Sequence, residues 1–167
     1  RDELVMEKAR ALVASVHPGL DDAGAAYRHY LGNTGSLYQI GMDEFFRENP
    51  NMYDEFLERK VSAYAFAREL APGRYRIVEK KAELIHTQVA GLTWNWNRTL
   101  GGFYLQGGAD VEVTSDSISI RLTLHLADNY DWQEGAEMGR FHDVGLACAY
   151  LVVGDHTEEF TVPRRRE

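Results

Sequence analysis

Two carboxylates flank a tyrosine in "DNYD", residues 128–131, and residues of these types at this spacing can support hydrolytic chemistry. Asp128 and Asp131 can hold a hard cation, align a water molecule, or act as a base and an acid. The segment follows the most regular alternating stretch of the chain, and such alternation is typical of a β-strand. The sequence therefore predicts a chemically active group of side chains at the end of that strand.

Residue parity places Asp128 on the buried side of the predicted strand. Apolar residues occupy the even positions across residues 118–126, and Asp128 and Tyr130 continue that parity. Burying a carboxylate is costly unless it is paired, hydrogen-bonded or bound to a cation, and burial raises its pKa. The alternative is structural: Asp128 caps a turn, Asp131 is solvated, and two aromatic side chains cover the edge of the sheet.

Other chemically suggestive residues favour structural roles. Cys148 is the only cysteine, so the chain has no internal disulfide and no CxxC site, and its apolar context indicates a small buried side chain. The glycine-bearing loops "LGNTGS" and "LGGFYLQGG" match no nucleotide-binding pattern. Trp94 and Trp96 of "WNWN" are predicted to share one face of a strand, either as packing residues or as a surface for a prenyl chain, a sugar or a membrane.

Helical periodicity dominates the first seventy residues. Near the start of the chain, four apolar residues repeat at helical spacing: Val5, Ala9, Leu12 and Val16. They predict an amphipathic helix, and a second short helix is predicted over residues 25–30. After Asn49-Pro50 a longer helix is predicted to carry one apolar face: Tyr53, Phe56, Leu57, Val61 and Tyr64.

Beyond Gly73 the apolar period changes to two. "GGFYLQGGADVEVTSDSISIRLTLHLAD" predicts an antiparallel hairpin with its turn at Ser115-Asp116, whereas "VEKKAELIH" is compatible with a strand or a helix. A short helix is predicted from Phe141 to about Tyr150, followed by a final pair of strands around Gly154-Asp155.

Helices followed by strands predict an α+β fold. We expect a twisted antiparallel sheet or a partly closed β-barrel, with the helices packed on one side. The length of 167 residues fits a single domain over residues 1–167, with a mainly helical part at residues 1–72 and a β-rich part at residues 73–167.

Composition and charge exclude several classes of function. With 44% hydrophobic and 26% charged residues the chain is typical of a soluble globular protein, and no apolar run approaches the ~20 residues of a membrane span. The net charge of −8 argues against nucleic-acid binding, and the basic run at residues 164–166 is predicted to be a solvated tail. The chain begins at Arg1 rather than Met and shows no signal peptide, so we expect a processed or excised domain.

The run Asp128-x-Tyr130-Asp131, followed by an aromatic residue, resembles the signature of the colicin M family of bacterial toxins. In that family the run follows an alternating strand in a β-rich catalytic domain, and the glycine-bearing hairpin before it is similar to "GGFYLQGGADVEVTSDSISIRLTLHLA". The resemblance covers residues 101–142. It implies a Mg²⁺-dependent phosphodiesterase that cleaves lipid II between the undecaprenyl carrier and the pyrophosphate, which stops peptidoglycan synthesis in the periplasm.

The resemblance also implies a role for each residue of the site. Asp128 and Asp131 would hold Mg²⁺, which brings the polyanionic pyrophosphate close to these carboxylates. Arg140 would stabilise charge on the phosphate oxygens, and His142 would transfer a proton to or from the reacting groups. Tyr130 would position a phosphate or one of the carboxylates.

The match departs from the family pattern after the second aspartate. The family has a His-Arg pair there, whereas "GRFH" supplies Arg140 and His142 in reversed order, separated by Phe141. His125 is the alternative acid or base, although its odd parity places it on the opposite face of the strand from Asp128.

The implied partners are a lipid II-like, membrane-attached substrate and an immunity protein. The implied location is the periplasm of a target cell, reached by a secreted or delivered toxin. Two other interpretations remain open: a non-enzymatic β-rich toxin or adaptor module that binds a protein partner, and a toxin domain of unrelated chemistry. Convergence of Asp128, Asp131 and His142 on one cleft would favour catalysis, whereas a flat exposed patch would favour docking.

Overall fold

A computed structural model of the chain describes residues 2–86, 90–131 and 139–164. The helices within these ranges are α1 (Asp2–Ala14), α2 (Asp21–Leu31), α3 (Met42–Glu48), α4 (Pro50–Ala67), α5 (Trp94–Thr99) and α6 (Arg140–Asp143). The strands are β1 (Tyr38–Gln39), β2 (Gly73–Val78), β3 (Glu83–His86), β4 (Gly102–Val113), β5 (Ser117–Tyr130) and β6 (Tyr150–Pro163). None of the helices in these ranges is long and apolar enough to cross a membrane.

The strands form one open, twisted sheet in the order β1-β6-β5-β4-β2, and β3 pairs with β4 outside this path. β2 is antiparallel to β4, with Gly73 opposite Val113. β1 is parallel to β6, with Tyr38 opposite Val152, so the sheet is mixed. The predicted α+β class with a twisted sheet is confirmed.

The chain divides into two compact units. Unit 1 comprises Arg1–Ile40, Ile85–Phe103 and Ala127–Val153, and unit 2 comprises Gly41–Leu84, Tyr104–Leu126 and Gly154–Glu167. Each unit contains both helices and strands, and β4, β5 and β6 contribute residues to both. The prediction of a single domain, mainly helical up to residue 72 and β-rich from residue 73, therefore stays a prediction.

The β4–β5 hairpin forms as the sequence predicts. Thr114 organises its turn, because the Thr114 Oγ1 atom accepts hydrogen bonds from the N–H groups of Asp116 and Ser117. Along β5 every even residue from Ile118 to Leu126 is at most 3% exposed. The period-two pattern thus produces one buried and one more exposed face.

The apolar faces of two helices differ from the prediction. α1 has no buried residue, and the exposed fractions of Val5 and Val13 are 46% and 77%. The buried residues of α4 are Met52, Phe56, Ala63 and Ala67. The predicted stripe on α4 is wrong at Val61, which is 68% exposed, because the tertiary packing selects a face rotated from the one with the largest apolar side chains.

"WNWN" is helical, and its prediction as a strand is wrong. The Thr93 hydroxyl caps α5 by accepting a hydrogen bond from the Trp96 N–H at 3.4 Å. This helix-start signal lies one residue before "WNWN". Trp96 is 1% exposed and belongs to the core of unit 1. Trp94 is 58% exposed, and the Arg98 guanidinium lies 5.0 Å from the centroid of its ring.

Asn95 of the same helix supplies the cap that α2 lacks. Leu20 precedes α2 and has no capping side chain. Instead, Asn95 Oδ1 accepts from the N–H groups of Asp22 and Ala23 at 3.1 Å, and Asn95 Nδ2 donates to the Asp22 carboxylate at 2.6 Å. These bonds satisfy N–H groups that a helix start leaves open.

The C-terminal part differs from the prediction in three places. The predicted final pair of strands is one continuous strand, β6, which passes through Gly154-Asp155 without a turn because ladder pairing overrides the local turn signal. The helix predicted from Phe141 to about Tyr150 is shorter, since α6 ends at Asp143. Arg164 is not a solvated tail residue: its guanidinium donates to the carbonyl oxygens of Thr114 and Leu70, while residues 165 and 166 lie outside the described ranges.

Candidate functional site

Strand β5 positions the first part of the site, in unit 1. Asp128 is 7% exposed and Tyr130 8%, on the same face as the apolar even residues, as parity predicts. Asp131 follows the strand and is exposed. Trp132, the aromatic residue that follows the Asp128-x-Tyr130-Asp131 run, lies outside the described residues.

Burial shifts the protonation of Asp128. Loss of water raises the pKa of this carboxyl from 3.8 to about 6, and the nearby Asp131 charge adds to the rise. Hydrogen bonds from the backbone of Gly101, at 3.2 Å, and of Asn129 act in the opposite direction. The direction of this shift is the one that burial of a carboxylate produces.

Asn129, which the sequence pattern does not mark as a site residue, links the two carboxylates of the motif. Its backbone bonds to the Asp128 carboxylate, and its side-chain Nδ2 donates to Asp131 Oδ2 at 3.1 Å. One residue therefore orients both groups. The only signal in the sequence for this orienting role is that Asn129 lies between the two aspartates of the motif.

Three tyrosines form a buried cluster behind Asp128. The Tyr130 ring stacks on Tyr150 at 4.8 Å between centroids and lies 6.0 Å from the Tyr30 ring. The Tyr150 hydroxyl donates to the carbonyl oxygen of Ala26 at 2.6 Å. Burial raises the pKa of Tyr150 above its usual value, and the nearby Asp128 charge contributes. Tyr130 thus packs against both Tyr30 and Tyr150.

Tyr30 of α2, which no motif in the sequence marks as a site residue, connects β5 with α6. Burial raises the pKa of Tyr30 to about 12, and the charges of Asp143 and Asp131 contribute. A hydrogen bond from the His142 backbone acts in the opposite direction. The Tyr30 hydroxyl therefore lies where the two segments that carry the predicted site approach each other.

Helix α6 places Arg140 and His142 in different surroundings. Arg140 Nη2 lies 2.9 Å from Glu7 Oε2 of α1, so in this structure its guanidinium is engaged with a carboxylate. His142 is exposed, and its Nδ1 lies 3.3 Å from the carbonyl oxygen of Ala147. The backbone of His142 thus approaches Tyr30, whereas the side chain of Arg140 pairs with α1. The site as a whole remains a prediction.

His125 lies on the other face of β5, as its parity predicts. It is exposed and pairs with Asp155 of β6. His125 therefore has a cross-strand partner on the more exposed face of β5, whereas Asp128 lies on the buried face.

The donors at the strand end fit Mg²⁺ in type. Mg²⁺ is usually bound by one or two carboxylates and keeps several waters. Asp128 is a buried, largely desolvated carboxylate, and Asp131 is a second one close enough to raise its pKa. Among the described residues, no group of three Asp, Glu, His or Cys side chains with ligand atoms within 4.8 Å of one another includes Asp128 or Asp131.

A groove of about 690 Å³ lies elsewhere, across the outer face of the sheet in unit 2. Its charged side chains pair between strands, as in Arg76 with Asp110 at 2.8 Å and Arg121 with Glu159 at 3.4 Å. None of the predicted site residues lines it. We interpret it as the solvated face of the sheet.

Three solved structures resemble the fold at a distance. A crystal structure of pectocin M2 is 14% identical, with a TM-score of 0.40 over 98% of this chain and 64% of that chain. A second pectocin M2 structure is 15% identical, with a TM-score of 0.43 over 100% and 65% of the two chains. PaeM, described as a colicin M-like bacteriocin produced by Pseudomonas aeruginosa, is 20% identical, with a TM-score of 0.45 over 87% and 51%.

The chain thus spans between half and two thirds of the length of these proteins. No family model and no curated protein matches its sequence. Likenesses with these identities and TM-scores assign neither a family nor an activity to the chain.

Proposed function

We propose that the chain is an antibacterial toxin domain that hydrolyses the pyrophosphate linkage of lipid II to undecaprenol, in the periplasm of a target cell. The observation that carries the proposal is Asp128: a buried carboxylate at a strand end, with a pKa of about 6, beside a second carboxylate. A carboxylate in that position lowers the stability of the fold, and a role in catalysis accounts for it. The reaction itself is taken from the resemblance of Asp128-x-Tyr130-Asp131 to the colicin M signature.

The hydrolysis would form a bond between a water oxygen and phosphorus and break the bond between that phosphorus and the prenyl oxygen. Asp128 and Asp131 would hold Mg²⁺, which when bound would neutralise negative charge on the pyrophosphate. His142 would transfer the proton that leaves the water or that the prenyl oxygen needs.

Two neighbours would orient these groups. Tyr130, whose ring packs against Tyr30 and Tyr150, would limit where the phosphate can lie. Arg140 would bind phosphate oxygens through its planar fork of N–H groups. An immunity protein that covers this site would protect the producing cell.

The test is Mg²⁺-dependent release of undecaprenol from lipid II. We expect Asp128→Asn and His142→Ala to lower the rate by about 100-fold or more, because the first removes a proposed Mg²⁺ ligand and the second removes the proposed proton-transfer group. His125→Ala is the matched control, since it removes a histidine on the opposite face of β5, and it should keep the original rate.

Circular dichroism should show that every variant is folded. Rates of Asp128→Asn and His142→Ala equal to that of the unmutated protein would refute the proposal. Loss of activity in His125→Ala but not in His142→Ala would refute the assignment of the proton-transfer group.

A further inference from the structure

Helix α1, which belongs to unit 1, makes polar contacts with the rest of that unit. None of its residues is buried. Glu7 Oε2 lies 2.9 Å from Arg140 Nη2, and Lys8 Nζ donates to the Leu146 carbonyl oxygen at 2.6 Å. Just after the helix, the Ser15 carbonyl oxygen accepts from Arg28 at 3.2 Å. The helix is thus tied to the α6 segment near its middle and to α2 at its end.

The contact between Glu7 and Arg140 is close but incomplete. Both atoms of the pair lie within ion-pair distance, yet Glu7 Oε2 is a buried atom without a hydrogen-bond partner in the described part of the chain. The same holds for Arg140 Nε, whose N–H group points to no acceptor there. The attraction is therefore that of two charges, without the paired hydrogen bonds that a guanidinium makes with a well-aligned carboxylate.

A phosphate group can satisfy these donors better than Glu7 does. It offers several oxygens in a geometry that matches the guanidinium fork, and it carries more negative charge than one carboxylate. The Arg140 side chain is 42% exposed, so an incoming anion can reach it. Binding of such an anion would leave Glu7 without its cation.

We propose that Glu7 is an internal competitor for Arg140, which holds the guanidinium until a phosphate-bearing ligand displaces it and thereby releases α1. Glu7 is then a positioning residue, since it acts on the ligand only through Arg140. The inference rests on the proposed function, from which it takes a phosphate-bearing ligand. It concerns binding of that ligand and does not require hydrolysis.

Binding of inorganic pyrophosphate to the full chain in the presence of Mg²⁺, measured by calorimetry, tests the competition. Glu7→Gln keeps the size of the side chain and removes the competing charge, so we expect the affinity to rise about 5- to 10-fold. Glu3→Gln is the matched control, because it makes the same charge change at an exposed position of the same helix, and its affinity should stay at the original value. Arg140→Gln should weaken binding in either background.

Hydrogen exchange of residues 2–14 provides the second measurement. Pyrophosphate should speed exchange in the original chain, whereas Glu7→Gln should exchange faster even without the anion. Equal affinities of Glu7→Gln and Glu3→Gln, unchanged exchange, or no pyrophosphate binding at all would overturn the inference. Tighter binding by Glu7→Gln with no hydrolysis of lipid II would refute the proposed function alone.

Discussion

Asp128 shows how a single side chain can lower the stability of the fold. Its pKa is about 6 in the folded chain against 3.8 for an ordinary aspartate, so the folded state binds the proton more tightly than the unfolded state. The contribution of protonated Asp128 to the free energy of unfolding is fully present below about pH 4 and is lost as the pH rises through about 6. A shift of this size corresponds to about 3 kcal/mol.

We therefore expect Asp128→Asn to increase the free energy of unfolding by up to about 3 kcal/mol at pH 8 and to change it little at pH 3.5. Asparagine keeps the acceptor for the Gly101 N–H and carries no charge. Urea unfolding at both pH values measures the difference, and Asp131→Asn, at an exposed carboxylate, is the control. An equal gain at both pH values would show that desolvation of Asp128 is not the cause.

The burial of Asp128 could be predicted because β5 alternates strictly, so that parity alone fixes its face. The roles of Tyr30, Asn129 and Glu7 could not be predicted in the same way. Tyr30 and Glu7 belong to helices α2 and α1, far earlier in the sequence than β5 and α6, and only tertiary packing brings them to the site.

The helices show the same contrast between local pattern and packing. α4 begins at Pro50, as the Asn49-Pro50 break predicts, and ends at Ala67, before the predicted stop at Pro72-Gly73. Of the predicted stripe only Phe56 is buried, and Met52, Ala63 and Ala67 complete the buried face. Phe56 is fully buried, and its ring packs on Tyr53 at 5.8 Å and on His156 at 4.8 Å. A helix with large apolar residues on more than one side leaves the choice of face to its neighbours.

Two substitutions on α4 distinguish its buried face from its exposed face by their effects on stability. Phe56→Ala should lower the free energy of unfolding by about 3–5 kcal/mol, because it opens a cavity in the core of unit 2. Val61→Ala should change it by no more than about 0.5 kcal/mol, because Val61 is 68% exposed. Chemical denaturation measures both, and a large loss in Val61→Ala would contradict the observed face.

Over the whole chain, the two units share three strands, since β4, β5 and β6 each pass from one unit into the other. The α+β class could be predicted because the change of apolar period near residue 73 is strong. The division into interleaved units could not, because strand pairing between distant segments has no local signature.

Continuity of these strands predicts one cooperative unfolding transition. Trp94 and Trp96 of α5 lie in unit 1, so tryptophan fluorescence monitors that unit. Phe56→Leu, in unit 2, should shift the midpoint by the same amount when followed by tryptophan fluorescence and by far-ultraviolet circular dichroism. A fluorescence midpoint that stays in place while the dichroism midpoint moves would show that the units unfold separately.

The capping of α2 by Asn95 has a consequence for the order of events on the ribosome. The cap lies 73 residues downstream of Asp22, so α2 leaves the ribosome long before its partner is made. At a synthesis rate of roughly 5–20 residues per second, that interval lasts about 4–15 seconds. During it the first turn of α2 has only water for its open N–H groups, and α2, with Tyr30 near its end, becomes fully fixed only after α5 has emerged.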